Sequence, residues 1–443
     1  MRAAIEWSYD LLNEEEKDLF RKLAVFKGGF DYEAVEDICC EGQCDPYDLT
    51  DSLLSKNFFK KENEVNEVSR FSMLELLRDY ATELFDKSDE KEKIKLRHAY
   101  FYLRRAENDI TAFSGADQDI VSQKWKADVE NVLEALSTFL ADRKYTELVN
   151  MIYALWPLFW VYNYDGELAK KIDLLLIMHT ATDLSDEVIG KLHWLAGIIS
   201  MEKGEYITAE YFLKHAQDYF SKTDNKRAIA WTHHLLESID IATHPEKNKE
   251  DIMRSFEGSA RMFRECGDLN GESMVTISAA AHEGRSGDYP DALKLYDDCF
   301  IIAKKLGNKA LQGHTITMKA WPYIELNEYE NAEQHLREGI EFFKEGRHPE
   351  GFSYCLEIMS YYFFKINKEQ NAMLLLGAYK NLMSKYQLTP WPMLSSVNDY
   401  LNKKSETISD KKLTDAFEEG MKTDIFKAAR LAYKIISDRD KND

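Results

Sequence analysis

The side chains best suited to catalysis do not stand at the spacings that catalysis requires. Four histidines occur within helical patterns, at His193, His233, His234 and His282. His233 and His234 are adjacent, so on a helix they point to different faces and cannot share a metal ion. The sequence also lacks a His-Glu-x-x-His or Gly-x-Ser-x-Gly segment, which would indicate a zinc protease or a serine hydrolase. We therefore predict that this chain is not an enzyme and has no catalytic residue.

The six cysteines of the chain do not indicate a metal site. Cys39, Cys40 and Cys44 lie close together, but no fourth ligand follows at the spacing of a zinc finger. The other three stand alone within apolar helical patterns, which is typical of buried thiols in a reducing compartment. We expect neither a bound metal nor a cofactor.

The charge and the hydropathy disfavour two kinds of partner. The chain of 443 residues has a formal net charge of -21, which repels phosphate backbones and anionic membranes. No apolar run approaches the roughly 18 residues of a membrane-spanning helix, and the N-terminus has no secretory signal pattern. These features predict a cytoplasmic protein without membrane attachment.

Residues 1–88 combine helical patterns with one change of period. Asn13 with Glu16 predicts a capped helix start, and Asp45 followed by proline predicts another. Residues 58–61 and 68–73 flank a polar turn and predict a β-hairpin, after which a further helix follows. Three helices, a hairpin and a closing helix predict a winged-helix domain.

The helix of this domain that would enter a DNA groove is acidic. Residues 45–57 carry Asp45, Asp48 and Asp51 against a single Lys56. A recognition helix needs lysine or arginine for the DNA backbone and bases. We therefore do not expect direct DNA binding.

The chain from residue 204 onward contains a repeat. The segment 287–292 is matched forty residues later by 327–332 and again by 367–372, and an earlier copy occupies 204–209. Each copy begins with Gly or Asn, which tolerate a left-handed turn, and ends with an alanine that allows two helices to approach closely. One helix pair cannot bury its apolar face alone, so the pattern predicts stacked helical pairs.

These motifs resemble two known families. The repeated segment resembles the tetratricopeptide repeat, with a longer period than usual. Three N-terminal motifs and two C-terminal ones resemble the winged helix and repeat arm of the signal-transduction ATPases with numerous domains, also called NB-ARC-type regulators. The motifs are AIEWSYDLL at 4–12, LAVFKGGF at 23–30, FSMLELLRDYA at 71–81, LGAY at 376–379 and AFEEGM at 416–421. The resemblance implies an arm whose ligand binding shifts a winged helix against a nucleotide-binding module.

Two features of the sequence depart from the pattern of that family. The chain has no Gly-x-x-x-x-Gly-Lys-Ser/Thr loop, so nothing would hold the phosphates of ATP. The family's Met-His-Asp nucleotide-sensing triplet is matched by Met73, Leu74 and Glu75, and Leu74 has no nitrogen to donate to a phosphate. Either nucleotide is sensed differently here, or this triplet only packs at the junction of hairpin and helix.

The tetratricopeptide resemblance also implies a ligand-binding groove. In that family the first helix of each pair lines the concave face, and alignment on the turns assigns Arg285, His314, Trp321, Tyr361 and Lys365 to it. Two aromatic rings and three potential cations suit a peptide with an acidic or aromatic anchor. Packing of Trp321 and Tyr361 between repeats is the alternative interpretation.

The sequence as a whole predicts a mostly α-helical protein with four parts. These are a winged-helix domain at 1–88, linking helices and degenerate repeats at 89–185, tetratricopeptide-like repeats at 186–390 and a helical cap at 391–443. We predict the non-catalytic sensor arm of a signal-transduction or transcriptional regulator. It would bind a protein, peptide or small inducer, with a separate nucleotide-binding module as a further candidate partner. The alternative is a stand-alone scaffold without a switching role.

Overall fold

The computed structural model describes residues 2–40, 45–62, 68–157, 165–178, 183–244, 246–343, 349–386, 388, 394–407 and 410–437. These residues form 23 α-helices and one two-stranded sheet. The helices in chain order are α1 (Arg2–Asp10), α2 (Glu14–Lys22), α3 (Tyr32–Ala34), α4 (Pro46–Ser55), α5 (Glu75–Asp86), α6 (Lys91–Asp109), α7 (Gln118–Ala127), α8 (Val129–Ala141), α9 (Tyr145–Ala154), α10 (Asp165–Met178), α11 (Asp186–Glu202), α12 (Tyr206–Phe220), α13 (Lys226–Thr243), α14 (Lys249–Cys266), α15 (Leu269–Ser286), α16 (Tyr289–Leu306), α17 (Lys309–Glu325), α18 (Tyr329–Phe343), α19 (Pro349–Lys365), α20 (Glu369–Lys385), α21 (Ser395–Thr407), α22 (Lys411–Gly420) and α23 (Ile425–Ser437).

Two compact units divide the chain. The first comprises residues 1–113 and 117–224, and the second comprises residues 114–116 and 225–443. The predicted division into four parts is finer than this and remains a prediction. None of the described helices is both long and apolar enough to cross a membrane.

The N-terminal part of the first unit has the predicted helix–hairpin–helix order. Asn13 and Glu16 form a reciprocal capping box at the start of α2, because each side chain accepts a hydrogen bond from the backbone of the other. Strands β1 (Lys60–Lys61) and β2 (Phe71–Ser72) pair antiparallel, with Lys60 opposite Ser72. The hairpin is confirmed, although its strands are shorter than the predicted segments.

One short helix of this part changes its type along the chain. Asp31 caps α3, since its side chain accepts a hydrogen bond from the backbone N–H of Ala34. From Val35 to Cys40 the chain then follows a π-helix rather than an α-helix. The wider turn places Val35, Ile38 and Cys39 in the core together.

The turns of the repeats have the backbone conformation that the sequence predicts. Gly204, Gly287, Asn327 and Asn367 have positive φ angles of 74°, 88°, 61° and 60°. A left-handed residue ends each first helix and starts the second, and Gly and Asn tolerate this conformation best. The helix pairs α11–α12, α15–α16, α17–α18 and α19–α20 thus share this turn, and the pair α13–α14 lies between the first two of them in the sequence.

The alanine of each repeat lies where two helices come closest. Ala209, Ala292, Ala332 and Ala372 are fully buried. A larger side chain at this position would force the second helix away from the first. The prediction of a mostly α-helical fold with a small hairpin followed by tetratricopeptide-like repeats is therefore confirmed.

The last pair is covered by α22, which crosses α20 with backbones almost touching. A Cβ atom added to Gly377 would lie 2.1 Å from the carbonyl oxygen of Phe417, and one added to Gly420 would lie 2.1 Å from that of Leu374. Neither neighbour can move aside, because both are backbone atoms of packed helices. The two glycines therefore fix how the cap sits on the last repeat.

Candidate partner-binding surface

The first helices of three successive pairs end on charged residues at one repeated position. Arg285, Glu325 and Lys365 are the second residues before the turns at 287, 327 and 367. They lie at the ends of α15, α17 and α19, which belong to the same compact unit. The surface formed by these first helices and by α21, which packs beside α19, is called here the first-helix surface.

A cluster of polar and aromatic side chains, the Glu325 cluster, occupies this surface. It comprises Glu325, Tyr361, Lys365 and Tyr400. The hydroxyl group of Tyr361 donates a hydrogen bond to Glu325 Oε1. Lys365 Nζ lies 3.6 Å from Glu325 Oε2, so one carboxylate connects two successive repeats.

Lysine side chains lie over the aromatic rings of this cluster. Lys365 Nζ is 5.0 Å from the ring centroid of Tyr361 and 5.7 Å from that of Tyr400. Lys404 Nζ also lies near Tyr400, 5.8 Å from its ring centroid. The rings of Tyr361 and Tyr400 meet edge to face, with centroids 5.0 Å apart. Cation–π attraction therefore supports both lysines at this surface.

Two tyrosines near Glu325 are held protonated. Burial, together with the hydrogen bond to Glu325, raises the pKa of Tyr361 well above its ordinary value. Burial and then the Glu325 carboxylate raise the pKa of nearby Tyr289. The side chains of Lys365 and Glu325 remain 30% and 19% exposed, so a partner can reach both charges.

The five residues predicted for the groove have different environments. Tyr361 and Lys365 belong to the Glu325 cluster. Trp321 is only 3% exposed and packs on Gly284, where an added Cβ would lie 3.0 Å from the indole ring. Arg285 is exposed, and its guanidinium lies 3.0 Å from Nδ1 of His282 on the same helix. Trp321 thus fills the space between two repeats.

His314 does not supply the positive charge that the sequence suggested. Its ring stacks on Tyr354 of the next pair, with centroids 4.9 Å apart and an interplanar angle of 22°. Burial lowers the pKa of His314 to about 4. The imidazole is therefore neutral near pH 7, and Arg285 and Lys365 are the cations among the five residues.

The triplet that matches the nucleotide sensor lies at the junction of β2 and α5. Met73 is buried, Leu74 is half exposed, and Glu75 begins the helix. The backbone carbonyl of Met73 accepts a hydrogen bond from Arg78 at 3.4 Å. These contacts anchor the junction, and a role in nucleotide sensing remains a prediction.

A buried polar network near the first-helix surface was not found from the sequence. Glu357 is fully buried, and its Oε1 accepts a hydrogen bond from Asn398 Nδ2 at 3.0 Å. Asn402 donates to Asn398 at 2.8 Å, and Lys380 donates to Asn402 at 2.8 Å. Burial raises the pKa of Glu357 to about 7, and the bond from Asn398 offsets this only in part. The sequence contained one signal for this network, which is the glutamate within the otherwise apolar run of α19.

In the parts of the chain that the structure describes, no three His, Cys, Asp or Glu residues are grouped so that they could hold a metal ion. His234 is buried, and burial lowers its pKa to about 4, whereas His233 contacts Ser259 at 3.1 Å. The two histidines point to different sides of α13, as predicted.

Three named regulators match part of the chain in sequence. No family model matches it. Proteins named as HTH-type transcriptional regulators, from Mycobacterium bovis and Mycobacterium tuberculosis, are 30% identical to it over 162 residues. That alignment covers 36% of this chain but only 18% of each regulator. The chain therefore spans less than a fifth of the length of these relatives.

Solved structures resemble the chain over more of its length. The tetratricopeptide-repeat sensor protein of the STAND class from Pyrococcus horikoshii matches 97% of this chain and 66% of its own, with 18% identity and a TM-score of 0.49. NprR in complex with its cognate peptide NprX matches 78% of this chain and 98% of its own, with 12% identity and a TM-score of 0.45. A Rap protein complexed with competence and sporulation factor matches 80% and 99%, with 13% identity and a TM-score of 0.44. These values describe a likeness in helical architecture and do not identify a partner.

Proposed function

We propose that this chain is the non-catalytic, partner-binding arm of a signal-transduction or transcriptional regulator. Its first-helix surface would bind a protein, a peptide or a small inducer with an acidic or aromatic anchor. The observation that carries this proposal is the Glu325 cluster, in which two partly exposed charges and two tyrosines from three helices meet.

The pattern of repetition supports recognition at this position. Positions that the fold requires hold similar residues in each repeat, such as the buried alanines of the second helices. The charged position instead holds Arg285, Glu325 and Lys365 in succession. A packing role would favour one kind of side chain, whereas a ligand that lies across several repeats meets a different group in each.

The order of the cluster supports binding at low entropic cost. Tyr361 is fixed by its hydrogen bond to Glu325, and Lys365 is held over two rings. Side chains that are already ordered lose less freedom when a ligand arrives. The ion pair between Glu325 and Lys365 is partly exposed and weak, so a ligand carboxylate can compete for the lysine.

The first unit offers a way to transmit the signal. Asp128 at the start of α8 lies 2.8 Å from Arg70 beside the hairpin and 3.4 Å from Arg105 of α6. Arg105 in turn lies 3.0 Å from Asp31, which caps α3. These buried ion pairs tie the winged helix to α6 and α8, so the unit would move as one body against a nucleotide-binding module.

The proposal is tested by selecting peptides on the full chain. A random peptide library is panned on the immobilised protein, and the affinity of a selected peptide is measured by fluorescence anisotropy. We expect Lys365→Glu to weaken binding by at least about tenfold, because it reverses the charge at the anchor. The matched control is Lys294→Glu on the exposed side of α16, which should change affinity less than about twofold.

Two results would count against this function. Selected peptides that bind both variants like the wild type do not use the first-helix surface. Peptides that bind there but never alter association with a separately produced nucleotide-binding module would favour the scaffold without a switching role.

A further inference from the structure

The last described helix, α23, has an unusual outer face. Its exposed residues are Phe426, Lys427, Arg430, Tyr433 and Lys434. At 3.6 residues per turn these five fall within an arc of about 120°, with the two rings at one edge and the cations beside them. The helix contains no acidic residue, although the whole chain has a net charge of -21.

The inner face of α23 already has its packing partners. Ile425, Ala428, Ala429, Ala432 and Ile436 are buried and belong to the core of the second unit. The helix packs against α18 and α20. The aromatic and basic residues are therefore not needed to attach α23 to the repeats.

The outer face has no partner in the described part of the chain. Phe426 and Tyr433 are 50% and 44% exposed. Arg430 Nε donates only to the carbonyl oxygen of Phe426 on its own helix, at 3.4 Å. Lys427 lies 3.7 Å from Asp424, which immediately precedes the helix. Exposed apolar side chains bordered by polar residues mark interaction sites, so the two large exposed rings on α23 require an explanation.

We propose that this face of α23 is a docking surface for an acidic protein partner. Exposed tyrosine, phenylalanine and arginine form the typical composition of an interface hot spot. Three cations at this site attract an acidic surface locally, despite the negative charge of the chain as a whole. This surface is separate from the Glu325 cluster and does not depend on its role.

A second copy of the chain fits the same face poorly. A symmetric dimer through α23 would place Lys427, Arg430 and Lys434 opposite the same three cations of the other copy. A head-to-tail contact with the acidic body of another copy would build rings or open polymers instead of a symmetric pair. Charge complementarity therefore favours a different, acidic protein.

The test uses the full chain and a defined peptide probe. The probe is a fluorescein-labelled helical peptide of about 18 residues, with leucine and phenylalanine on one face and glutamates beside them. Its matched control has lysine in place of each glutamate. We expect saturable binding of the acidic probe in low salt, weaker binding in higher salt, and no binding of the basic probe.

Variants locate the binding to α23. Arg430→Glu and Phe426→Ala should each weaken binding by about tenfold or more. The control Arg254→Glu changes an arginine that is 76% exposed on α14, and it should alter affinity less than about twofold. Circular dichroism of each variant verifies that the helices remain folded.

Several results would overturn the proposal. The proposal fails if the acidic probe does not bind at about 200 µM. It also fails if the wild type, Arg430→Glu and Phe426→Ala bind the probe equally well. Self-association of the wild type in sedimentation that Arg430→Glu abolishes would identify a second copy as the occupant. Binding to a DNA duplex or to phosphatidylserine vesicles that depends on Arg430 would likewise replace the protein partner.

Discussion

Each compact unit contains one cluster in which carboxylates contact cations, and the two clusters differ in how deeply these charges are buried. In the first unit Asp31, Arg70, Arg105 and Asp128 are at most 8% exposed. In the second, Lys365 and Glu325 are 30% and 19% exposed, and the charges at their position change from one repeat to the next. The burial of a charge, rather than its presence, therefore separates a structural cluster from a candidate binding surface.

The energetics of the two clusters differ for the same reason. A buried carboxylate that loses its cations is left without water and without a partner. An exposed ion pair gains little in free energy, because water and salt screen both members. The buried cluster should thus control stability, and the exposed one should control binding.

The largest effect is expected at Asp128. Replacing it by alanine leaves Arg70 and Arg105 buried with too few counter-charges, and it also removes the hydrogen bond from Tyr102. We expect Asp128→Ala to lower the free energy of unfolding of the first unit by about 3–5 kcal/mol. Urea unfolding measures this effect, and exposed Asp142→Ala at the end of the same helix serves as the control. A loss similar to that of the control would show that the network is not structural.

Glu357 tests a buried carboxylate that accepts its hydrogen bond from an amide rather than from a cation. Its folded pKa of about 7 lies above the unfolded value of about 4.3, so the folded state holds the proton more tightly. Stability is then fully present below about pH 4.3 and falls as the pH rises to about 7. The total loss is on the order of 4 kcal/mol, given about 1.4 kcal/mol per pKa unit.

Glu357→Gln isolates this dependence, because glutamine keeps the shape but has no charge. The variant should match the wild type near pH 4 and exceed it in stability near pH 8. Urea unfolding at both pH values measures the difference. A constant difference between the two proteins across this range would mean that the carboxyl group does not titrate there.

A smaller effect is expected for the hydroxyl group of Tyr361. Tyr361→Phe keeps the ring against Tyr400 and removes only the hydrogen bond to Glu325. We expect a loss of about 1.5–3 kcal/mol in thermal unfolding of the second unit, because the acceptor is a carboxylate. A loss above about 3 kcal/mol would place this group with the buried structural network instead.

The smallest effect on stability is expected for Lys365. Lys365→Ala removes an exposed ion pair and should change the free energy of unfolding by less than about 0.5 kcal/mol. The same substitution should weaken the library-selected peptide by about tenfold. A variant that loses both stability and binding would contradict the separation of the two clusters.

Local features of the fold could be predicted from the sequence, and long-range ones could not. Residues a few positions away determine the turns such as that at Asn327, the buried alanines and the capping box at Asn13. Asp128 meets Arg70 across 58 positions, and Glu357 meets Asn398 across 41, so no local pattern links them. Trp321 shows the same limit, because its repeat position was compatible with both the groove and packing, whereas the contact with Gly284 of another repeat appears only in the structure.

The most direct test of the account is hydrogen–deuterium exchange of the full chain with a library-selected peptide. Binding at the first-helix surface should slow exchange in α17, α19 and α21, because the peptide suppresses local opening of these helices. The second helices α18 and α20 should change much less. Slowing confined to those second helices or to the first unit would contradict the proposal that the Glu325 cluster binds the partner.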